Sequence, residues 1–179
     1  MKMSFLAVAV LFSNFSFAAV AYQPNDVNIF INTAQCPSCD LSMIDLTGPI
    51  SSMIVKTNNP NFYMGANLQN ANVTGSVFAS TMGAGLNMQN SNFSNLKGSE
   101  VSFMYDQLDG SSFANAILEG ARFGNANLTG VDFTGADLKG AIFSSANLSD
   151  AKITPEQLSE TTHCQTILPN DTISTSCNG

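Results

Sequence analysis

The side chains able to do chemistry are few: Cys36, Cys39, Cys164 and Cys177, the sole His163, and Asp106, an acid at a position where a small side chain is the rule. Cys36-Pro37-Ser38-Cys39 has the spacing of a dithiol redox pair. Such a pair needs a thiolate stabilised by a helix N-terminus or a nearby cation. No strand-helix-strand pattern surrounds this one, so redox catalysis is not expected. A zinc site gathers about four nitrogen or sulphur ligands around one point, whereas the cysteines stand at opposite ends of the chain and His163 is left over. A solvated capping residue is the expectation for His163. No Ser-His-Asp set, paired-carboxylate cleft, phosphate loop or metal motif occurs. The sequence therefore reads as non-enzymatic, with no catalytic, cofactor-binding or metal-binding residue and no cofactor, and with cysteines that act as cross-links.

The elements that hold these residues begin with an export signal. Lys2 precedes the apolar run Phe5–Phe12, and Ala19-Val20-Ala21 offers a small-residue cleavage site, with Ser16-Phe17-Ala18 as a second. The run is too short to span a membrane. Cleavage after Ala21 or Ala18 predicts a periplasmic or extracellular protein with no membrane span. Only 11% of residues are charged, and the 13 acidic and 6 basic side chains give a net charge of −7. That balance argues against nucleic acid or an anionic membrane as partner, because there is no basic patch to release counterions.

The dominant pattern has a period of five. Taking every fifth residue from Tyr63 to Leu158, through Leu68, Phe93, Phe103, Leu108, Phe113, Leu118, Phe123 and onward, 18 of 20 positions are apolar. Two residues earlier the side chain is usually small, as at Ala71, Ala116, Ala126 and Ala146; by the alternation of extended chain it also points inward. Between these two lie outward polar residues such as Asn87, Asn127 and Asp132. Two residues after the large one come Gly or Asn, which tolerate unusual backbone angles and mark a corner. A helix needs a period of 3.6 and a flat strand a period of 2. A chain that turns every five residues winds instead into a solenoid with a filled lumen. Phe and Leu alternate from 103 to 148, and outward amides recur every 20 residues at Asn67, Asn87, Gln107, Asn127 and Asn147. Amide ladders are stabilising only when stacked, so the expectation is 20 residues per coil and four sides.

On these residues the chain resembles the pentapeptide-repeat family, whose unit is a small residue, Asp or Asn, Leu or Phe, and two variable residues. Ala126-Asn127-Leu128-Thr129-Gly130, Val131-Asp132-Phe133-Thr134-Gly135 and Ala136-Asp137-Leu138-Lys139-Gly140 carry the likeness. The resemblance implies an all-β fold, a right-handed quadrilateral parallel β-helix with short capping elements. The organisation expected is a cleaved signal at 1–21, an N-terminal cap and irregular coil at 22–60, the β-helix at 61–158 and a C-terminal cap and tail at 159–179.

Departures from the code carry further expectations. Gly83 and Gly98 replace large core residues, and Leu86 and Leu96 stand at small positions where they can fill the space. Asp106 falls at an inward position; a local bulge around Met104–Gln107, with the carboxylate capping a turn, is expected rather than a site. Large residues at Leu41 and Leu46 are two out of step with the later repeats, so Pro49–Pro60 is read as a loop, and Asn28–Asn32 as a capping strand. Thr154-Pro155-Glu156-Gln157 is a helix start with Thr154 as N-cap. The tail from His163 and Cys164 to Cys177 resembles that of exported pentapeptide-repeat proteins, which close with a second cysteine. Four cysteines in an exported chain allow three pairings. Cys36 with Cys39 and Cys164 with Cys177 is expected, since each pair sits at one end of a rigid rod.

Functionally, these features predict an exported solenoid scaffold that presents a rigid face to a protein partner or envelope component. The family also contains acidic mimics of DNA that bind DNA gyrase. Here Asp109, Glu119, Asp132 and Asp137 fall on several sides, and export would separate the protein from gyrase. Delivery as an effector to a host-cell protein is the third reading.

Overall fold

A computed structural model describes residues 68–74, 85–175 and 177. The signal at 1–21, the strand at 28–32, Cys36 and Cys39, the loop at 49–60 and Gly83 lie outside the described residues. Each five-residue unit makes one extended step and one turn. In the unit around Phe123, Ala126 N donates back to Phe123 O at 3.0 Å, closing the turn, while Phe123 N donates to Ile142 O at 2.7 Å on the next coil. Every parallel bridge among the described residues joins positions 20 apart, from Asn72 with Asn92 to Asn147 with Ile167. One coil is thus 20 residues and four sides, and the architecture is the right-handed quadrilateral parallel β-helix expected from the repeat.

The corners follow from backbone sterics. Asn70, Asn90, Asn95, Asn115 and Asn125 have φ between 56° and 59°, and corner glycines such as Gly110 (70°) and Gly135 (69°) share that left-handed region. A Cβ at Gly110 or Gly135 would also run into the Asn90 or Asn115 side chain one coil below. Tyr105, at φ 65°, occupies a corner with a bulky side chain instead.

Like residues stack in the lumen. Phe93, Phe113 and Phe133 form one column, with centroids 4.7 and 5.5 Å apart and planes within 16°. Phe103, Phe123 and Phe143 form the opposite column, at 5.2 and 4.9 Å. The two columns meet edge to face, as between Phe113 and Phe123 at 5.8 Å and 85°. Leu108, Leu128 and Leu148 line a third side, and Leu118 and Leu138 the fourth, all essentially inaccessible to water. At Gly98, a Cβ would lie 3.1 Å from both Leu96 Cδ2 and Val101 Cγ1, so these side chains fill the gap as expected.

The helix α1, Pro155–Ser159, begins with the anticipated capping box: Gln157 N donates to Thr154 Oγ1, and Thr154 N to Gln157 Oε1. Its position after the repeats predicts a cap on the last coil; the structure instead sets it within that coil. Ala116 O accepts the Asp137 N–H, and by the same register Ala136 O should accept a backbone N–H from residue 157. The Gln157 side chain takes over, its Nε2 donating to Ala136 O at 2.8 Å and Phe133 O at 2.9 Å. Helix α1 therefore stands in for one side of the last coil. Pairing then resumes at Thr162 with Ile142 and Ile167 with Asn147, so the ladder runs past the boundary at 158. Beyond it the tail folds back: Ile173 pairs antiparallel with Ile167, and Ser174 N donates to Thr166 O at 2.8 Å. This return strand covers part of a parallel edge that would otherwise offer unpaired backbone groups.

Candidate functional site

The outward side chains divide the surface into four unlike faces. On the amide face stand Asn87, Gln107, Asn127 and Asn147. The next carries Asn72, Asn92, Ser112, Asp132 and Lys152. The third shows Lys97, Ile117 and Asp137, and the fourth Ser102, Arg122, Ile142 and Thr162. On the first two, outward groups are tied into the fold. The Asn127 carboxamide oxygen accepts from the Thr129 hydroxyl at 2.8 Å and Asn147 accepts from Ser149 at 2.8 Å, capping their own turns. Between coils, Asn127 Nδ2 donates to Gln107 Oε1 at 3.3 Å and to Asp109 Oδ1 at 3.2 Å. Asp109 also accepts from Gln89 Nε2 at 2.8 Å. Asp132 takes the Thr134 N–H at 2.9 Å and pairs with Lys152 Nζ at 3.1 Å, and its pKa is held below the usual value chiefly by Thr134. That is the single ion pair among the described residues.

Most outward side chains of the third and fourth faces are not used by the turns; Asp137, which accepts the Lys139 N–H at 3.2 Å, is an exception. Ile117 is 43% exposed and Arg122 is exposed, as are Lys97 and, on the corner after Ser102, Tyr105. Met104 lies close to Gly124, where a Cβ would sit 3.5 Å from its Cε. The acids expected on several sides are indeed dispersed: Asp109 flanks the amide face, Asp132 lies on the second, and Glu119 and Asp137 on the third, which also carries Lys97 and Lys139.

Asp106 differs from its expectation. Its backbone keeps the regular register, with Asn127 N donating to Asp106 O at 2.9 Å, so there is no bulge. The carboxylate does cap backbone, but on the coil below: Oδ1 accepts the Leu86 N–H at 2.8 Å. The side chain is fully buried and Oδ2 has no hydrogen-bond partner among the described residues. Burial pushes its pKa up to about 8, against the opposing pull of the Leu86 and Gly85 N–H groups. Two other inward hydroxyls cross coils in the same way. Ser91 Oγ accepts from Ala71 N at 3.2 Å and donates to Leu68 O at 2.6 Å; Thr166 Oγ1 donates to Phe143 O at 2.7 Å. A hydroxyl where Ala is the rule is the sequence signal for both.

Cys164 and Cys177 lie with their sulphurs 1.98 Å apart and Cα atoms 4.3 Å apart, at disulfide distance. His163 is half-buried rather than fully solvated, with Nδ1 3.3 Å from Thr161 Oγ1. Among the described residues no group of three or more His, Cys, Asp or Glu is arranged to hold a metal ion, and no helix is long and apolar enough to cross a membrane.

The profile of the family described as pentapeptide repeats matches in 8 copies, over residues 64–95, 107–144 and 126–154. Among solved structures, the chain is similar to HetL, a pentapeptide repeat protein involved in heterocyst differentiation regulation from the cyanobacterium Nostoc. Identity is 20% and the TM-score 0.46, with 76% of this chain and 58% of that one covered. It is also similar to Rfr23 from the cyanobacterium Cyanothece, at 17% identity, TM-score 0.40 and 80% and 97% coverage. A trypsin-treated variant of QnrB1, a plasmid-mediated fluoroquinolone resistance protein, aligns at 17% identity and TM-score 0.36, over 62% of this chain and 64% of that one. The chain thus spans less than two thirds of HetL and of this QnrB1 chain. A comparison with curated proteins returns no match.

Proposed function

The chain belongs to the pentapeptide-repeat family, and from that premise we propose that it is a non-catalytic, exported scaffold whose third and fourth faces bind a protein partner or an envelope component. One observation carries the reading: the inequality of the faces. The amide and Asp132 faces spend their polar groups on their own turns and ladders, which leaves little donor or acceptor capacity for a partner. Lys97, Ile117 and Arg122 are exposed and make no such bonds with the described residues, and they mix apolar, cationic and flat backbone surface as interface centres do. Export rests on the segment 1–21 and fits the closeness of Cys164 and Cys177, since disulfides persist in oxidising compartments. Mimicry of DNA toward gyrase is disfavoured by the dispersal of Asp109, Glu119, Asp132 and Asp137 and by the cations among them.

The test places a photo-crosslinking side chain at Ile117, Ile142, Asn127 or Asn147 in the producing cell, followed by fractionation and mass spectrometry. Capture of one protein at Ile117 and Ile142 in the exported fraction, with none at the two amide positions, is the expected result. Capture confined to the amide face, or an unprocessed protein in the cytoplasm, would overturn it.

A further inference from the structure

We propose that Asp106 works as a neutral acid, a proton-bearing clamp between successive coils, and that loss of its proton loosens the coil below. The fold uses such a cross-coil clamp twice elsewhere. Ser91 accepts the N–H of Ala71, 20 residues back, and donates its hydroxyl hydrogen to the carbonyl of Leu68, 23 residues back. Thr166 likewise donates to the carbonyl of Phe143, 23 residues back. Asp106 occupies the same inward position in its unit and makes the first half of the Ser91 pattern, accepting the N–H of Leu86, 20 residues back. The other half requires a donor, and a carboxylate has none. A protonated Asp106 supplies one from Oδ2, the oxygen that is buried and has no hydrogen-bond partner among the described residues. Ionised, the same oxygen would hold buried charge with no hydrogen-bond partner among the described residues, the pull of the Gly85 N–H being outweighed by burial.

The surroundings give the charge no compensation. Leu86 is stacked below and Ala126 above, and Phe103 and Leu108 flank it in its own coil; none of these titrates. The influences on the carboxyl are burial and the N–H groups of Leu86 and Gly85, with no charged neighbour among them, and its pKa near 8 leaves it protonated at neutral pH. The sign follows directly. Between its ordinary value of 3.8 and about 8 the folded chain holds a proton that the unfolded chain has lost, so stability declines as pH rises through this window and levels off above it. Each solenoid coil leans only on its neighbours. The effect therefore concentrates where Asp106 clamps, at Gly85–Leu86, while the stacked rings from Phe113 to Phe143 hold the later coils.

The test uses the full mature chain and two variants, Asp106→Asn, which keeps the acceptor and cannot ionise, and Asp106→Ser, which copies Ser91. Amide exchange at Leu86 is followed from pH 6 to pH 8, corrected for the intrinsic rate. The wild type should lose protection by about 50-fold, a factor of about ten over the first pH unit and less as pH approaches 8. Both variants should stay flat, and the amides of Asp132 and Asn147 should change little in all three. In parallel, the carboxyl carbon shift of Asp106 is read by NMR in the wild type, a measurement that stands even if both variants fail to fold. A protonated shift at pH 6 that titrates near 8 supports the proposal. A carboxylate shift at pH 6, or the same pH dependence in wild type and variants, overturns it.

Discussion

Replacing Phe123 by Leu should destabilise the solenoid more than the same change at Phe143, although both rings are completely buried. Phe123 stacks on Phe103 at 5.2 Å and Phe143 at 4.9 Å, and meets Phe113 and Phe133 edge to face at 5.8 and 5.7 Å. Phe143 has only the stacked contact to Phe123 and the edge contact to Phe133, at 5.7 Å, among the described residues. An aromatic pair contributes about 0.5–1.5 kcal/mol beyond the area it buries. Leu keeps most of the apolar burial and removes the ring geometry, so four pairs lost at Phe123 amount to about 2–6 kcal/mol and two at Phe143 to about 1–3 kcal/mol. The difference, about 1–3 kcal/mol, corresponds to roughly 1 M in the urea midpoint at a typical slope. Urea denaturation followed by circular dichroism measures it, with equal slopes as the condition for comparison. Equal midpoints for the two variants would refute the idea that the stacks contribute beyond volume. A larger loss at Phe143 would show that unfolding starts from the last coil and that end contacts govern stability.

Two further substitutions probe the backbone. Tyr105 sits in the left-handed region at φ 65° with 55% of its surface exposed, a conformation that costs a side chain roughly 1–2 kcal/mol. Tyr105→Asn should raise the melting temperature by roughly 2–8 °C. A fall would mean that the ring makes a stabilising contact worth more than the strain. Gln157→Ala removes the amide that serves Phe133 O and Ala136 O, and should cost about 1–3 kcal/mol in urea denaturation; an unchanged midpoint would show that water replaces the amide without loss.

The cross-section of this molecule was legible because its code is local and repeated. Phe for two opposite columns, Leu for the others and Asn or Gly at corners each recur at a fixed offset, and one coil suffices to state the rule. The misreadings arise where a residue's partner is 20 positions away. Asp106 reads from the sequence as part of a local bulge whose carboxylate caps a turn, because acids usually cap nearby N–H groups; its acceptor bond runs to Leu86 on the coil below. Helix α1 was visible from Thr154, Pro155 and Gln157, since capping is a local matter. That it replaces a side of the last coil depends on Ala136 O needing a donor at residue 157, and that need appears only once the register is known. By contrast, Leu96 filling the space at Gly98 was readable from the sequence, because two compensating departures fall two residues apart.

The same code limits where recognition can reside. An outward Asn or Asp that accepts its own turn's N–H cannot be exchanged or borrowed by a partner without loosening that turn, so Asn127, Asp132 and Asn147 are constrained by the fold before any partner is considered. Lys97, Ile117, Arg122 and Ile142 occupy the equivalent outward position on the other two faces and show no side-chain bond to a turn. Their backbone stays paired through the ladder whatever the side chain is: Ile117 N donates to Leu96 O at 2.7 Å and Arg122 N to Val101 O at 2.8 Å. Those positions can change type at little cost to the coil while the strand spacing of ~4.8 Å holds them in a fixed grid. A surface with fixed geometry and free chemistry is what a binding scaffold requires. In this solenoid that combination is met at Lys97, Ile117, Arg122 and Ile142, with Asp137 beside them tied to its own turn, and not on the amide face, even though the amide face has the more regular ladder.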